Sequence, residues 1–282
     1  MRLASLLDLH AGFDASLFDH QQRLVEGAPH EARAALSRFA AGLRAHIRAE
    51  NDVILPFYEK HASIPKGGAP EYFRAEHRKI ERLIAEAEAW MRAWTGLVWP
   101  TGEVVLLIER EKLLKEVLEH HDERERAILY PACDAVAGAD VGALLERFAA
   151  VASAEERDRL ALSDAEPAEP LACAWLEEAL TPVAEGEQGG RREAGWEEAL
   201  GVVRGMLRTL EIGPAADIRA ALLAQARERI EALVPLKAYP PRLGALAHAG
   251  LVLLGACQRA AEVRARTAAG TAPGPAPEAA GA

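Results

Sequence analysis

Residues 46–56 read HIRAENDVILP and residues 121–131 read HDERERAILYP, and the two share little beyond a His, a Glu four places on, and a Pro six places after that. On a helix, a His and a Glu four apart project from one face. The face of His46 and Glu50 also holds Phe39, Leu43, Val53 and Phe57, and that of His121 and Glu125 holds Leu114, Leu118, Ile128 and Leu129. Polar ligand-type residues thus stand twice where core residues belong. Two single histidines repeat the pattern, His20 beside Phe13, Leu17 and Leu24, and His77 beside Phe73, Ile80 and Ile84.

A buried carboxylate is costly unless an opposite charge accompanies it. No Lys or Arg falls on these four faces, so the expected charge is a metal cation. Four imidazoles and two carboxylates suit a dinuclear centre in which each ion takes two His and both Glu bridge. With an oxo or hydroxo bridge added, six-coordinate iron would keep one open position on each ion for a diatomic molecule or a peroxide.

Helical periodicity dominates the chain, and runs of alternating β-branched residues are nearly absent, which makes the fold class all-α. Gly and Pro set the breaks. The first helix covers about 3–26, the second 30–61, the third 71–94, and the fourth ends near 135. Four such helices on short loops describe an up-down-up-down bundle over residues 1–136. A helical linker region (137–195) and further C-terminal helices (196–266) follow. In the first of the latter, Leu200, Val203, Leu207 and Leu210 mark one buried face. The tail from 267 to 282 is almost entirely Ala, Gly, Pro and Thr, a composition expected to be disordered.

The chain has 33 basic and 43 acidic side chains, a formal net charge of −10, and no basic block, which disfavours nucleic-acid binding. Charged residues interrupt the N-terminal stretch before it could act as a signal peptide, and the uncharged run between Arg242 and Arg259 is shorter than the ~18–20 residues of a membrane span. A cytoplasmic protein with no membrane partner is the expectation. Cys133, Cys173 and Cys257 lack any CxxC spacing and read as reduced thiols.

The ordered set of an inward His, HxxxE with its Pro, a second inward His, and a second HxxxE with its Pro resembles the hemerythrin-like (HHE) cation-binding domains. His20, His46, Glu50, Pro56, His77, His121, Glu125 and Pro131 carry the resemblance, which spans 1–136. It implies a non-haem di-iron centre that binds oxygen, peroxide or nitric oxide, or that senses iron and oxygen. Oxygen-carrying members have a fifth His one turn from the third-helix His, where this chain has Phe73 and Glu81, and they end in HxxxxD. The site therefore looks like the four-His, two-Glu variety. Two functions follow as expectations: a redox enzyme, or a sensor that signals to a protein partner, or self-associates, through the C-terminal helices.

Other candidates have plainer readings. His120 competes with His121, but the shared distance to the Pro favours His121. Glu81 reads as solvated, and His10, His30 and His61 as surface residues. Tyr58, Tyr72, Tyr130 and Cys133 read as packing residues, His248 as a core or interface residue, and the run 109–116 as a solvated face.

Overall fold

The computed structural model describes residues 2–94, 99–162, 168–181, 195–234 and 241–270, all of whose regular elements are helical. The chain divides into two compact units, residues 1–91 with 99–165, and residues 92–98 with 166–282. Of the tail expected at 267–282 to be disordered, residues 267–270 are helical and 271–282 lie outside the described residues, as do 163–167 and 182–194 of the expected linker region.

The first unit is the helical bundle. A 3-10 turn, Leu3–Leu6, leads into α1 (Leu7–Val25). Gly27, at φ 72°, ends α1: its N–H reaches the Leu24 carbonyl, and the Ala28 N–H reaches Arg23. That left-handed turn is what glycine adopts without strain, and Pro29 then opens α2 (Pro29–Ala49) with its φ already set. A π turn, Glu50–Ile54, carries α2 directly into α3 (Leu55–His61). Helix α4 (Pro70–Ala93) follows, then α5 (Thr101–Arg124), a second π turn at Glu125–Leu129, and α6 (Tyr130–Ala137).

The bundle extends beyond the boundary expected at 136. Helix α7 (Val141–Leu162) packs along α2 and closes the core through Val141, Leu144 and Phe148. These join Leu3, Leu6, Ile54, Leu55, Tyr58, Phe73, Leu129, Tyr130 and Cys133 in one apolar cluster. Burying that many large side chains stabilises the unit by about 1.5–3 kcal/mol each before chain ordering is counted. The cluster is the dry, rigid floor on which ligating side chains can stand.

The second unit contains α8 (Ala168–Leu180), α9 (Trp196–Glu211), α10 (Ala216–Leu233) and α11 (Pro241–Gly270). Its core includes Cys173, Leu176, Leu200, Val203, Leu223, Ile230, Leu253 and Cys257. Helices α8 and α11 approach closely at Gly250, where a Cβ would lie 2.8 Å from the Leu176 side chain. Two stretches, one within Thr101–Leu160 and one in Leu243–Ala269, are long and apolar enough by composition to span a membrane. The second is mostly buried, and α11 packs on α8 and α10, as expected of a core helix. His248, expected in a core or interface, is exposed on α11.

Candidate metal centre

The two π turns explain the repeated Pro. In each, the first residue is the motif carboxylate, and an i to i+5 bond closes the turn: Leu55 N–H to the Glu50 carbonyl, and Tyr130 N–H to the Glu125 carbonyl. The next residue is Pro56 or Pro131, which has no N–H and whose ring would crowd the carbonyl four residues back. Widening the preceding turn relieves that crowding without ending the helix. His46 and Glu50, and His121 and Glu125, keep their i, i+4 relation just before the slip. After it, Ile54, Leu55, Leu129 and Tyr130 are turned into the core.

Four imidazoles converge on these carboxylates. His77 Nε2 lies 3.1 Å from His121 Nε2, and His10 Nε2 lies 3.0 Å from His46 Nε2. Glu50 and Glu125, both 0 % exposed, stand between the two pairs. Glu50 Oε2 is 3.2 Å from His77 Nε2, and Glu125 Oε1 is 2.8 Å from His121 Nε2. Their other oxygens face the second pair, Glu50 Oε1 at 3.6 Å from His46 Nε2 and Glu125 Oε2 at 3.5 Å from His10 Nε2. Two ligand clusters result, Glu50–His77–His121–Glu125 and His10–His46–Glu125, with Glu125 in both.

Three of the four rings are oriented from behind. His77 Nδ1 faces Asn51 Oδ1 at 3.0 Å, His121 Nδ1 faces Glu76 Oε2 at 3.0 Å, and His10 Nδ1 pairs with Asp122 Oδ1. Arg124 Nε in turn holds the other Glu76 oxygen at 3.0 Å. An acceptor at Nδ1 fixes the tautomer whose Nε2 lone pair points inward, the usual support of a metal-bound imidazole. The orphan atoms point the same way: Glu50 Oε2 and Glu125 Oε1 are buried without a hydrogen-bond donor. Ligands at ~2.1 Å from one ion, at right angles, stand ~3 Å apart, close to the spacing of each Nε2 pair. The donor set therefore fits a metal at each cluster.

Electrostatics agree. Burial, with Glu50 alongside, pushes Glu125 up to about 7. Burial also works against Glu50, but His46 and the adjoining His121 and His77 rings hold its carboxyl well below the usual range. Burial and the neighbouring His46 lower His10 to about 3, so its ring stays neutral and keeps a lone pair to offer. Burial works against charge on His46 and His121 too, yet Glu50 and Glu125 hold both rings above the usual imidazole range, so the carboxylates draw in positive charge of the kind a bound cation would supply.

Of the six residues expected at the centre, the structure brings together His46, Glu50, His77, His121 and Glu125 and places His20 elsewhere. His20 is fully buried, with Nδ1 2.8 Å from the Ala32 carbonyl and Nε2 2.8 Å from Glu111 Oε1. Both ring nitrogens face acceptors, so both carry hydrogens and neither has a lone pair for a metal. The α1 position at the centre is taken by His10, expected on the surface but only 8 % exposed. Glu111, in the run expected to be solvated, is buried because it holds His20.

The remaining candidates resolve simply. His120 is exposed and contacts Arg124, which leaves His121 as the inward residue. Glu81, His30 and His61 are exposed. Cys133 is buried, and burial drives its thiol up to about 12, so it is a packing residue rather than a nucleophile. The Tyr58 hydroxyl donates to the Gly68 carbonyl, while Tyr72 is exposed. Tyr130 is more than packing: its hydroxyl donates to Glu50 Oε1 at 2.5 Å and lies 3.3 Å from Glu125 Oε2.

A cavity of about 40 Å³ opens beside His10, His46 and His121, walled by Phe13, Leu43, Ile47 and Leu118 with Asp14, Glu119 and Asp122 at the polar side. That is room for a few water-sized molecules. Residues 2–133 match the family model described as the hemerythrin HHE cation binding domain. No curated protein and no solved structure matches the chain.

Proposed function

We propose, from a hemerythrin-type cation-binding domain over residues 2–133, that the first unit holds two iron ions and uses them to bind and react with oxygen, peroxide or nitric oxide. The observation that carries this reading is the convergence of two imidazole pairs on carboxylate oxygens, two of which have no hydrogen-bond donor. His77 and His121 would hold one ion with Glu50 Oε2 and Glu125 Oε1. His10 and His46 would hold the other with Glu50 Oε1 and Glu125 Oε2.

Iron bound in this way supplies Lewis acidity and exchangeable electrons to a small ligand. The chain's residues do the rest. Asn51, Glu76 and Asp122 fix ring orientation, the apolar floor excludes bulk water, and Phe13, Leu43, Ile47 and Leu118 restrict entry to small ligands. The Tyr130 hydroxyl is the one phenolic proton held within hydrogen-bond reach of the carboxylates among the described residues.

The test is elemental analysis of anaerobically purified protein, with its ultraviolet-visible spectrum followed through exposure to air, peroxide and nitric oxide. About two irons per chain, one for each ligand cluster, with charge-transfer bands that respond to these reagents, are expected. Folded protein that ignores added ferrous iron would overturn the reading.

A further inference from the structure

Resting on the two-ion reading above, we propose that the two ion positions are inequivalent: the His77–His121 position fills first, the His10–His46 position is the exchangeable one, and Tyr130 positions the carboxylates for the latter. Three separate observations point this way.

The first is how the carboxylate oxygens are divided. Those facing His77 and His121, Glu50 Oε2 and Glu125 Oε1, have no hydrogen-bond donor and are free to accept a cation. Those facing His46 and His10, Glu50 Oε1 and Glu125 Oε2, are the ones the Tyr130 hydroxyl touches, at 2.5 and 3.3 Å. One phenol thus spans both carboxylates on one side of the centre. It fixes their rotation there and leaves each oxygen one lone pair for an ion.

The second is preassembly. The His77–His121 cluster gathers four ligand atoms, two of them from imidazoles held by Asn51 and Glu76. The His10–His46 cluster gathers three, and His46 Nδ1 is buried without a partner. A ring without an acceptor behind it is less firmly oriented, and such support is worth about 10–100-fold in metal affinity.

The third is access. The cavity beside the centre is lined by both His10 and His46, and by Asp122 behind His10, whereas of the other pair His121 reaches its wall and His77 does not. The ion that a small ligand or an incoming cation meets first is the one at the His10–His46 position.

Cobalt(II) titration of the full chain, read by its visible absorption and by native mass spectrometry, tests this. The wild type should load in two resolved steps. His77→Ala should remove the tighter step and His10→Ala the weaker. Tyr130→Phe should weaken the second step by about 10–100-fold and leave the first unchanged. Tyr58→Phe, which removes a buried hydroxyl that serves only the Gly68 carbonyl, should lower stability without moving either step.

Two equal steps in the wild type would overturn the inequivalence, as would His10→Ala and His77→Ala variants that lose the same step. Equal losses at both steps in Tyr130→Phe, or no loss, would overturn its positioning role. If Tyr130→Phe does not fold by circular dichroism, the two histidine variants still decide the order of loading. Wild-type protein that takes up no cobalt would overturn the two-ion reading itself, an outcome distinct from all the others.

Discussion

At the scale of the residue, the difference between a ligand and a structural histidine is the fate of the second ring nitrogen. His10 and His20 both lie buried on α1, yet His20 gives both hydrogens away and His10 keeps Nε2 for the centre. His10→Ala should therefore lose one metal per chain, whereas His20→Ala should keep the metal content and lose stability. Glu111→Leu should act like the latter, costing about 1–3 kcal/mol by leaving the buried ring without its acceptor. Metal analysis beside chemical denaturation distinguishes the two. Burial lowers the His20 pKa, but Glu111 outweighs it and holds the ring above its usual range. The stabilisation is complete below the unfolded value of about 6.5 and fades as pH rises through the higher folded value. Stability curves of the wild type should fall across that alkaline window, and those of His20→Phe should be flatter there.

The same pair shows what the sequence could and could not reveal. Apolar company alone could not separate His10 from His20, because both have it. Level along the bundle could: reflecting the chain through the turn at Gly27 sets Asp8 opposite His46 and Ala34 opposite His20. An α1 ligand must stand near the height of His46, and His10 does. The hydrogen bond from His20 to Ala32 is the structural expression of that count. Glu111 was illegible for another reason: its neighbours in the run 109–116 are mostly charged, and only contact with α1 shows that it faces inward.

At the scale of the element, the distance from Glu to Pro was plain in the sequence, but its consequence was not. A Pro inside a helical pattern reads as a break or a kink. Here α2 with α3, and α5 with α6, run through it on a π turn. The slip changes which residues face the core after the carboxylate and places Tyr130 beneath both carboxylates. Pro131→Ala restores an N–H and permits an ordinary α turn, which would carry Tyr130 away from Glu50. Metal-free protein with this change should be at least as stable to heat, while its cobalt affinity falls by about 10–100-fold. Thermal melts beside cobalt titration check this, and a variant with unchanged affinity would show that the π turn is incidental.

At the scale of the molecule, the all-α class and the bundle follow from periodicity and from Gly and Pro. The share of α7 in the bundle did not, because Phe148 announces itself as a floor residue only by its ring lying 5.3 Å from that of His46. The second unit has a core of its own and lies outside the residues that the family model matches. Hydrogen exchange with and without metal separates the enzyme reading from a sensor. Loss of metal should loosen amides around Glu50 and Glu125 and leave those of 196–233 unchanged, whereas a sensor would show changes in both.

The most direct measurement is anomalous diffraction at the iron edge from crystals of the iron-reconstituted full chain. Two peaks are predicted, one between His77 and His121 and one between His10 and His46, with Glu50 and Glu125 shared between them. A single peak, a peak at His20, or none would contradict a two-iron centre.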